Sequence, residues 1–455
     1  MAAPSTPARG AFSSRLGFVF AAAGSAIGLG NIWRFPYTAG ENGGGAFVLV
    51  YLACVALIGV PVLLAELVMG RASQRNPVGA FKALVPRGAW PLVGGLGVLT
   101  GFGILSFYSV VAGWTMGYLY RALTGQFAGG LSSEQSNAAF EELIADPTRA
   151  MVLTAVFLLL TVLVVRGGVH RGIERVTSVL MPLFFLLLLF LAVRAVTLPG
   201  AEEGVAFLFQ ADFSKLGPRA LLDALGQALF SLSLGMGAMI TYGSYLGKHE
   251  NLPSAGLTVA FFDTLIAMLS GLMIFPALFA TGMDPAQGAG LVFVVLPTIF
   301  DQLPGGLFFA IAFYSLLTIA ALTSTVSLLE VVVAYFVDEK GWAREKSVWI
   351  VGLGALVLAV PSALSLGAVD GLTDFVGGLG FLDLQDMLFG NFALSLGAFF
   401  IALFVGWTWG TRNALDEMGA GGHHLPASGL WSVLVRYVCP VAVAAVFAFL
   451  LYTHT

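Results

Sequence analysis

Three stretches of an otherwise apolar chain carry groups able to bind a ligand. The first, GSAIGLGNIWRFP at residues 24–36, sets Gly24, Gly28 and Gly30 beside Asn31 and Arg34. An ionisable group at membrane depth costs about 2.5 kcal/mol or more unless it is paired or hydrated, and irregular backbone is tolerated there only where it lines a cavity. A helix broken at this segment meets both conditions, and its freed carbonyls and amides become ligands. Glycines alone would mean no more than close helix packing, but Asn31 and Arg34 go beyond that. The second stretch, GQALFSLSLGMGAMITYGSYLG at 226–247, gathers Gln227, Ser231, Ser233, Gly235 and Gly237. The third, TIAALTSTVSLLE at 318–330, places Ala320, Thr323 and Ser324 on one helical face. Serine and threonine in membrane helices commonly bond back to their own carbonyls, yet three coincident clusters favour a site. Donors that are oxygen alone, without thiol or imidazole, suit a hard cation. The scarcity of carboxylates favours a monovalent one. No G-x-S-x-G or H-E-x-x-H pattern occurs, and no histidine falls in an expected span, so the chain does not read as an enzyme.

The elements that position these clusters are membrane helices. Hydrophobic residues make up 58% of the 455, charged residues 10%, and the mean hydropathy is +0.91; soluble domains carry about 25% charged residues. Apolar runs of spanning length, about 20 residues each, are expected near 15–40, 43–70, 90–122, 149–166, 173–198, 220–247, 253–281, 304–337, 346–364, 376–410 and 430–452. The fold class is therefore an all-α polytopic membrane protein of eleven helices. The first helix is retained rather than cleaved, because no small-residue cleavage site follows a short apolar core. With the N-terminus in the cytoplasm, 15 of the 21 Lys and Arg residues fall on the cytoplasmic side. A net charge of −4 without a basic run argues against nucleic acid as a partner. Cys54 and Cys439 lie in apolar helices and read as packed thiols. The polar stretch 123–148 reads as an external loop with one short helix around Asn137–Ala145, and positions 1–10 as a mobile tail.

Two broken helices five spans apart fit a transporter built from inverted repeats, whose discontinuous helices meet at a midplane site. The expected division is a tail at 1–14, a first five-helix repeat at 15–198, an external loop at 199–219, a second inverted repeat at 220–411, and a cytoplasmic loop with helix 11 at 412–455.

The segment GSAIGLGNIWRFPYTAGENGGGAF closely resembles the first helix and following turn of the neurotransmitter:sodium symporter family, particularly its bacterial amino-acid transporters. The resemblance extends along most of the chain through GVPVLLAELVMGR, WTMGYL, GIERVTSVLMP, SLSLGMGAMITYGSYL and LTSTVSLLE. It implies the LeuT-type fold, alternating access, and two Na+ sites. The first sodium would be held by the Ala26 carbonyl, the side chains of Asn31, Ser231 and Asp263, and the carboxylate of the substrate. The second would take the carbonyls of Gly24, Ile27 and Ala320 with the hydroxyls of Thr323 and Ser324. The substrate pocket maps onto Ile104, Tyr108, Phe230, Ser233, Met236, Ser324 and Leu328, bordered by Ala26, Gly28 and Ser231. The amino acid's carboxylate would lie against the amides of Leu29 and Gly30 and the Tyr108 hydroxyl. Monoamine-carrying relatives have aspartate at the position of Gly28, so glycine points to amino acids. Arg34 matches one half of an outer gate, with Asp386 or Asp383 as its carboxylate and Gln227 alongside; Arg9 and Asp338 match a cytoplasmic lock. Gly172 and Pro182 match a pair between which helix 5 unwinds in relatives.

Two departures carry consequences. Chloride-dependent relatives have asparagine at the position of Asp263 and serine at that of Ala267, while Tyr51, Gln227 and Ser231 of their anion site are kept here. A fixed carboxylate at Asp263 supplies the negative charge that chloride would bring, which implies chloride independence. Many relatives have a twelfth helix and this chain ends after the eleventh, leaving its oligomeric state open. The expected activity is sodium-coupled import of hydrophobic L-amino acids through a bacterial cytoplasmic membrane, with membrane lipid as the other partner. A non-transporting sensor and a sodium or amino-acid channel of the same fold are the alternatives.

Overall fold

A computed structural model of the protein describes residues 10–127, 131–217, 219–283 and 288–454, which leaves Arg9 outside the described residues. Among those residues nine helices are long and apolar enough to cross a membrane. They are α2 (Gly45–Ser73), α3 (Pro91–Leu123), α4 (Pro147–Arg166), α5 (Val169–Val196), α7 (Leu252–Ala280), α8 (Gly306–Lys340), α9 (Arg344–Leu364), α10 (Phe381–Thr408) and α11 (Ser428–Phe449). A tenth crossing, α1, is a pair, Arg15–Ala26 and Gly30–Glu41, bent by 51° at the break. The sixth expected span, α6, is two pieces, Ala220–Ser231 and Ala238–Gly243. Neither piece reaches spanning length alone, so the break expected within 220–247 divides this span into two half-helices. Sheet pairing among the described residues is limited to isolated bridges such as Gly44 with Ala211.

The breaks follow from local chemistry. In α6 the backbone of Gly235 and Gly237 has φ of 81° and 76°, a region open to glycine at no steric cost. Gly235 also lies so close to α10 that a Cβ there would stand 2.1 Å from the Leu394 carbonyl oxygen. Ser233 shares the left-handed conformation with φ of 54°. A non-glycine residue held there costs about 1–3 kcal/mol and points to surroundings that impose the geometry.

Burial separates an inner from an outer set of helices. In α8 the apolar stretch is 83% buried, whereas in α5 it is 33% buried, with Val179, Leu186 and Val193 facing outward. The inner set, α1, α3, α6 and α8, carries all three polar clusters. At the end where the chain enters, residues 12–14 are tied down rather than free. Phe12 packs edge-on against Phe18 and Tyr242, and Ser13 donates from its amide and hydroxyl to Glu174 at 2.9 and 2.6 Å. The stretch 123–148 holds a helix over Ser133–Ala145, opened by a reciprocal Ser132–Gln135 cap. The loop at 199–219 contains a further helix, Ala201–Phe209. α5 is helical through Pro182, with a π turn at Val169–Glu174 in place of unwound chain.

Candidate functional site

The two breaks face one another, and each supplies what the other lacks. A helix end leaves backbone groups without intrahelical partners, and in a membrane these groups must find partners inside the protein. The Ser233 hydroxyl of α6 donates to the Ser25 carbonyl of α1 at 2.8 Å. The Gln227 amide of α6 donates to the Gly30 carbonyl at 2.8 Å. From α3, the Tyr108 hydroxyl accepts from the Leu29 amide at 3.0 Å, and from α2 the Glu66 carboxylate accepts from the Gly235 amide at 2.7 Å. The carbonyls of Gly24, Ala26 and Ile27 are left over: they accept no hydrogen bond among the described residues. They are the three α1 carbonyls that the family resemblance implies as cation ligands.

Asn31, Ser231 and Asp263 form one fully enclosed cluster. The Asn31 side-chain amide donates to Asp263 Oδ1 at 2.8 Å and to Ser231 Oγ at 3.0 Å, and the Ser231 hydroxyl donates to Asp263 at 2.8 Å. Asn31 Oδ1 accepts from the Gly28 amide at 3.1 Å. Asp263 is 0% exposed and has no Arg, Lys or His partner among the described residues. A carboxylate enclosed in this way is destabilised by several kcal/mol unless a cation joins it. Tyr51, also buried, leaves its hydroxyl without a partner here, as does the Gln227 carbonyl oxygen. The oxygen donors, the single carboxylate and the free Ala26 carbonyl fit a monovalent cation.

Gly24 meets Thr323 where α1 packs on α8; Ala320 and Ser324 share the Thr323 face of α8, and Ile27 follows Gly24 at the end of the first α1 segment. A Cβ at Gly24 would stand 3.2 Å from Thr323 Cβ and 3.3 Å from Met181 Sδ, so no side chain stands between the two helices. The Thr323 hydroxyl donates to the Ala320 carbonyl at 3.0 Å, and the Ser324 hydroxyl reaches the Ser25 carbonyl at 3.4 Å. No carboxylate belongs to this group.

Between the breaks lies a small cavity. Of the expected substrate residues, Ala26, Gly28, Gly30, Ile104, Tyr108, Phe230, Ser233, Met236, Ser324 and Leu328 line it. Leu29 contributes its amide at the Tyr108 hydroxyl, and Ser231 turns into the Asp263 cluster instead. Its lining combines polar groups, among them Tyr108, Ser233, Ser324 and the α1 backbone, with the apolar side chains of Ile104, Phe230, Met236 and Leu328, and includes no charged side chain. A Cβ at Gly28 would stand 2.4 Å from Ser324 Oγ and 2.8 Å from Tyr108 Oη, so this position has no room for a side chain.

Arg34 and Asp386, expected as a pair, are not in direct contact as an ion pair among the described residues. The Arg34 guanidinium donates to Asn391 Oδ1 at 3.3 Å and lies 4.9 Å over the Phe230 ring. Asn391 in turn donates to the Asp386 carbonyl at 3.3 Å, so it stands between the two partners. Asp383 is exposed and Asp386 half-buried. At the entry end Asp338 accepts from the Asn76 amide and side chain at 3.0 and 3.1 Å.

Sequence reading missed Ser25, Ser327, Glu66 and Asn391. Ser25 Oγ donates to Ser327 Oγ at 2.7 Å and both line the cavity. Ser327 is one turn after Ser324, so helical spacing was a signal for it. Glu66 stood out as a carboxylate inside an apolar run. Asn391 gave no local signal.

Comparison with known proteins shows the family. The sodium:neurotransmitter symporter family model matches residues 9–142 and 135–455. The chain is similar to an uncharacterized sodium-dependent transporter, YhdH, of Bacillus subtilis: 42% identical over 437 residues, covering 96% of each chain. An uncharacterized sodium-dependent transporter of Haemophilus influenzae is 35% identical over 449 residues, covering 96% of this chain and 97% of its own. Among solved structures, MhsT in complex with L-phenylalanine matches with a TM-score of 0.89 and 48% identity, over 97% of this chain and 99% of that one.

Proposed function

The chain belongs to the sodium:neurotransmitter symporter family, a family of membrane transporters rather than enzymes, and from that premise we propose that it imports hydrophobic L-amino acids together with sodium, independently of chloride. The observation that carries this reading is the cavity between the breaks of α1 and α6, lined by polar and apolar groups but by no charged side chain. Its α1 backbone and the Tyr108 hydroxyl suit a carboxylate. Its apolar residues offer no charge to a substrate side chain, and burying an unpaired charge among them is strongly unfavourable. The absence of space at Gly28 fits a substrate that brings its own carboxylate. The structural neighbour's bound L-phenylalanine supports the same substrate class.

Sodium is cargo in this scheme. The first ion would lie among the Ala26 carbonyl, Asn31, Ser231 and Asp263, touching the substrate carboxylate. That shared contact couples ion to substrate. The second would lie among Gly24, Ile27, Ala320, Thr323 and Ser324, where it draws α1 onto α8. Asp263 would provide the negative charge that balances the bound cation, which removes the need for an anion. Arg34 with Asp386, bridged by Asn391 and beside Gln227, would form the outer gate, and Asp338 with Arg9 the inner one. The inverted repeats would be 15–198 and 220–411, in a bacterial cytoplasmic membrane with the N-terminus inside.

The test is uptake of labelled leucine into proteoliposomes driven only by an inward sodium gradient, with unlabelled amino acids as competitors. Accumulation above equilibrium is expected, with competition by valine, phenylalanine, tyrosine and tryptophan. Strong competition by lysine or glutamate, or none by any aromatic amino acid, would overturn the pocket assignment. Downhill flux without accumulation would overturn the coupling.

A further inference from the structure

About one helical turn from the central cavity along α8, towards the entry end of the bundle, a second concavity of about 700 Å³ opens sideways between α3, α8 and α9. Its walls are apolar: Leu99 and Phe102 of α3, Val332 and Phe336 of α8, and Ile350 of α9. Leu99 and Ile350 are 55% and 45% exposed, so the groove is continuous with the outer surface that contacts the hydrocarbon. Gly95 forms part of its floor, and a Cβ built there meets nothing within 4 Å. Helices that pack closely at glycine normally bring neighbours to it; here the glycine keeps a channel open. Tyr335 is the one residue with a polar side chain among those that line the groove, and its hydroxyl has no hydrogen-bond partner among the described residues.

The rim at the entry end is basic. Lys346, Ile350 and Gly354 follow one another at four-residue spacing along α9, so the ammonium stands one turn above the groove wall. Its Nζ lies 4.7 Å over the Trp342 ring, which stacks on Phe336 with centroids 4.6 Å apart. A lysine held over an aromatic ring at a membrane boundary is oriented as well as charged. Arg87 lies four residues before Pro91, which lines the groove at the start of α3. Both Arg87 and Lys346 are exposed, and neither has a carboxylate partner among the described residues. Two carboxylates at this end are already engaged: Glu339 by Lys82 and Glu345 by Arg166, each at 2.5 Å.

We propose that this groove is a binding site for one anionic phospholipid of the adjoining leaflet. An acyl chain would lie along Gly95, Leu99 and Phe102, the ester region would meet the Tyr335 hydroxyl, and the phosphate would be held by Lys346 and Arg87. Unpaired cations above a lipid-facing apolar trough complement a phosphate-headed lipid and not a neutral solute. The assignment is independent of what the central cavity carries.

Native mass spectrometry of the full chain, with phosphatidylglycerol or phosphatidylcholine of identical acyl chains added in turn, tests it. One phosphatidylglycerol per chain should be retained in preference to phosphatidylcholine. Lys346→Gln with Arg87→Gln should weaken that retention about fivefold for each charge removed and leave phosphatidylcholine unchanged. Gly95→Leu, which fills open space, should displace both lipids. If Gly95→Leu does not fold, Tyr335→Phe with the charge variants decides, since loss of the hydroxyl should weaken retention further. Equal retention of the two lipids by the wild type, or phosphatidylglycerol retention unaltered by the charge substitutions, overturns the proposal.

Discussion

The two clusters that would hold sodium are built on opposite principles. The Asp263 cluster is charged and already cross-linked: Asn31 and Ser231 hydrogen-bond to Asp263 and to each other. The Thr323–Ser324 cluster is neutral, and its threonine is satisfied within α8 itself. Among the described residues its hydrogen bond across to α1 goes to Ser25, which Ser327 and Ser233 also meet. The first cluster therefore keeps its shape from side chains, and the second depends on how closely two helices approach. It follows that small displacements of α1 against α8 should alter the second cluster far more than the first.

The largest effect should come from removing the neutral site's hydroxyls. A hydrogen bond to a charged group contributes about 1.5–3 kcal/mol, so Thr323→Val with Ser324→Ala should weaken sodium activation of uptake about a hundredfold or more. Sodium titration of leucine uptake measures this, and a wild-type sodium curve would remove those residues from the ion path. Next in size is the charged site. Wild-type uptake should be indifferent to exchanging chloride for gluconate, whereas Asp263→Asn with Ala267→Ser should lose about tenfold in rate, equivalent to ~1.4 kcal/mol, and regain part of it on adding chloride. A chloride requirement in the wild type would refute the role given to Asp263.

A milder substitution separates the clusters by geometry. Gly24→Ala would press a methyl against Thr323 Cβ at 3.2 Å and Met181 Sδ at 3.3 Å, an overpacking that costs about 1–3 kcal/mol. Sodium affinity should fall several-fold while substrate selectivity stays unchanged. A change in the order of competing amino acids would show that the α1–α8 contact also shapes the pocket. The smallest effect is reserved for the cavity's apolar lining. Methionine adapts to partners of different shape, so Met236→Phe should reduce competition by tryptophan more than competition by leucine. Equal loss for both would mean that residue 236 does not meet the substrate side chain.

Much of this was legible in the chain. Asn31 and Arg34 inside an apolar run, Ser231 and Ser233 between glycines, and Thr323 beside Ser324 each announce themselves, because polar groups are costly in hydrocarbon and so appear only with a reason. Asp263 is different: as one carboxylate in a long apolar helix it gains a partner set only when α7 is laid against α1 and α6. The family resemblance placed it, and local pattern did not. Arg34 is different again. Charge matches it to Asp386, but in this structure a short neutral side chain, Asn391, takes the contact, and no sequence rule marks an asparagine as an intermediary.

By itself the sequence determined that the chain crosses a membrane repeatedly, that its first and sixth helices are interrupted, and that oxygen donors gather at those interruptions. These are consequences of hydropathy, glycine placement and the cost of buried polarity, all of which act locally along the chain. The tertiary structure decided which orphaned group meets which: Ser233 with the Ser25 carbonyl, Gln227 with the Gly30 carbonyl, Glu66 with the Gly235 amide. It also decided that the Gly24, Ala26 and Ile27 carbonyls would be left unused. Such pairings join residues as many as 208 positions apart, and they depend on the relative rotation and depth of packed helices, quantities that a one-dimensional pattern of apolar and polar residues does not contain.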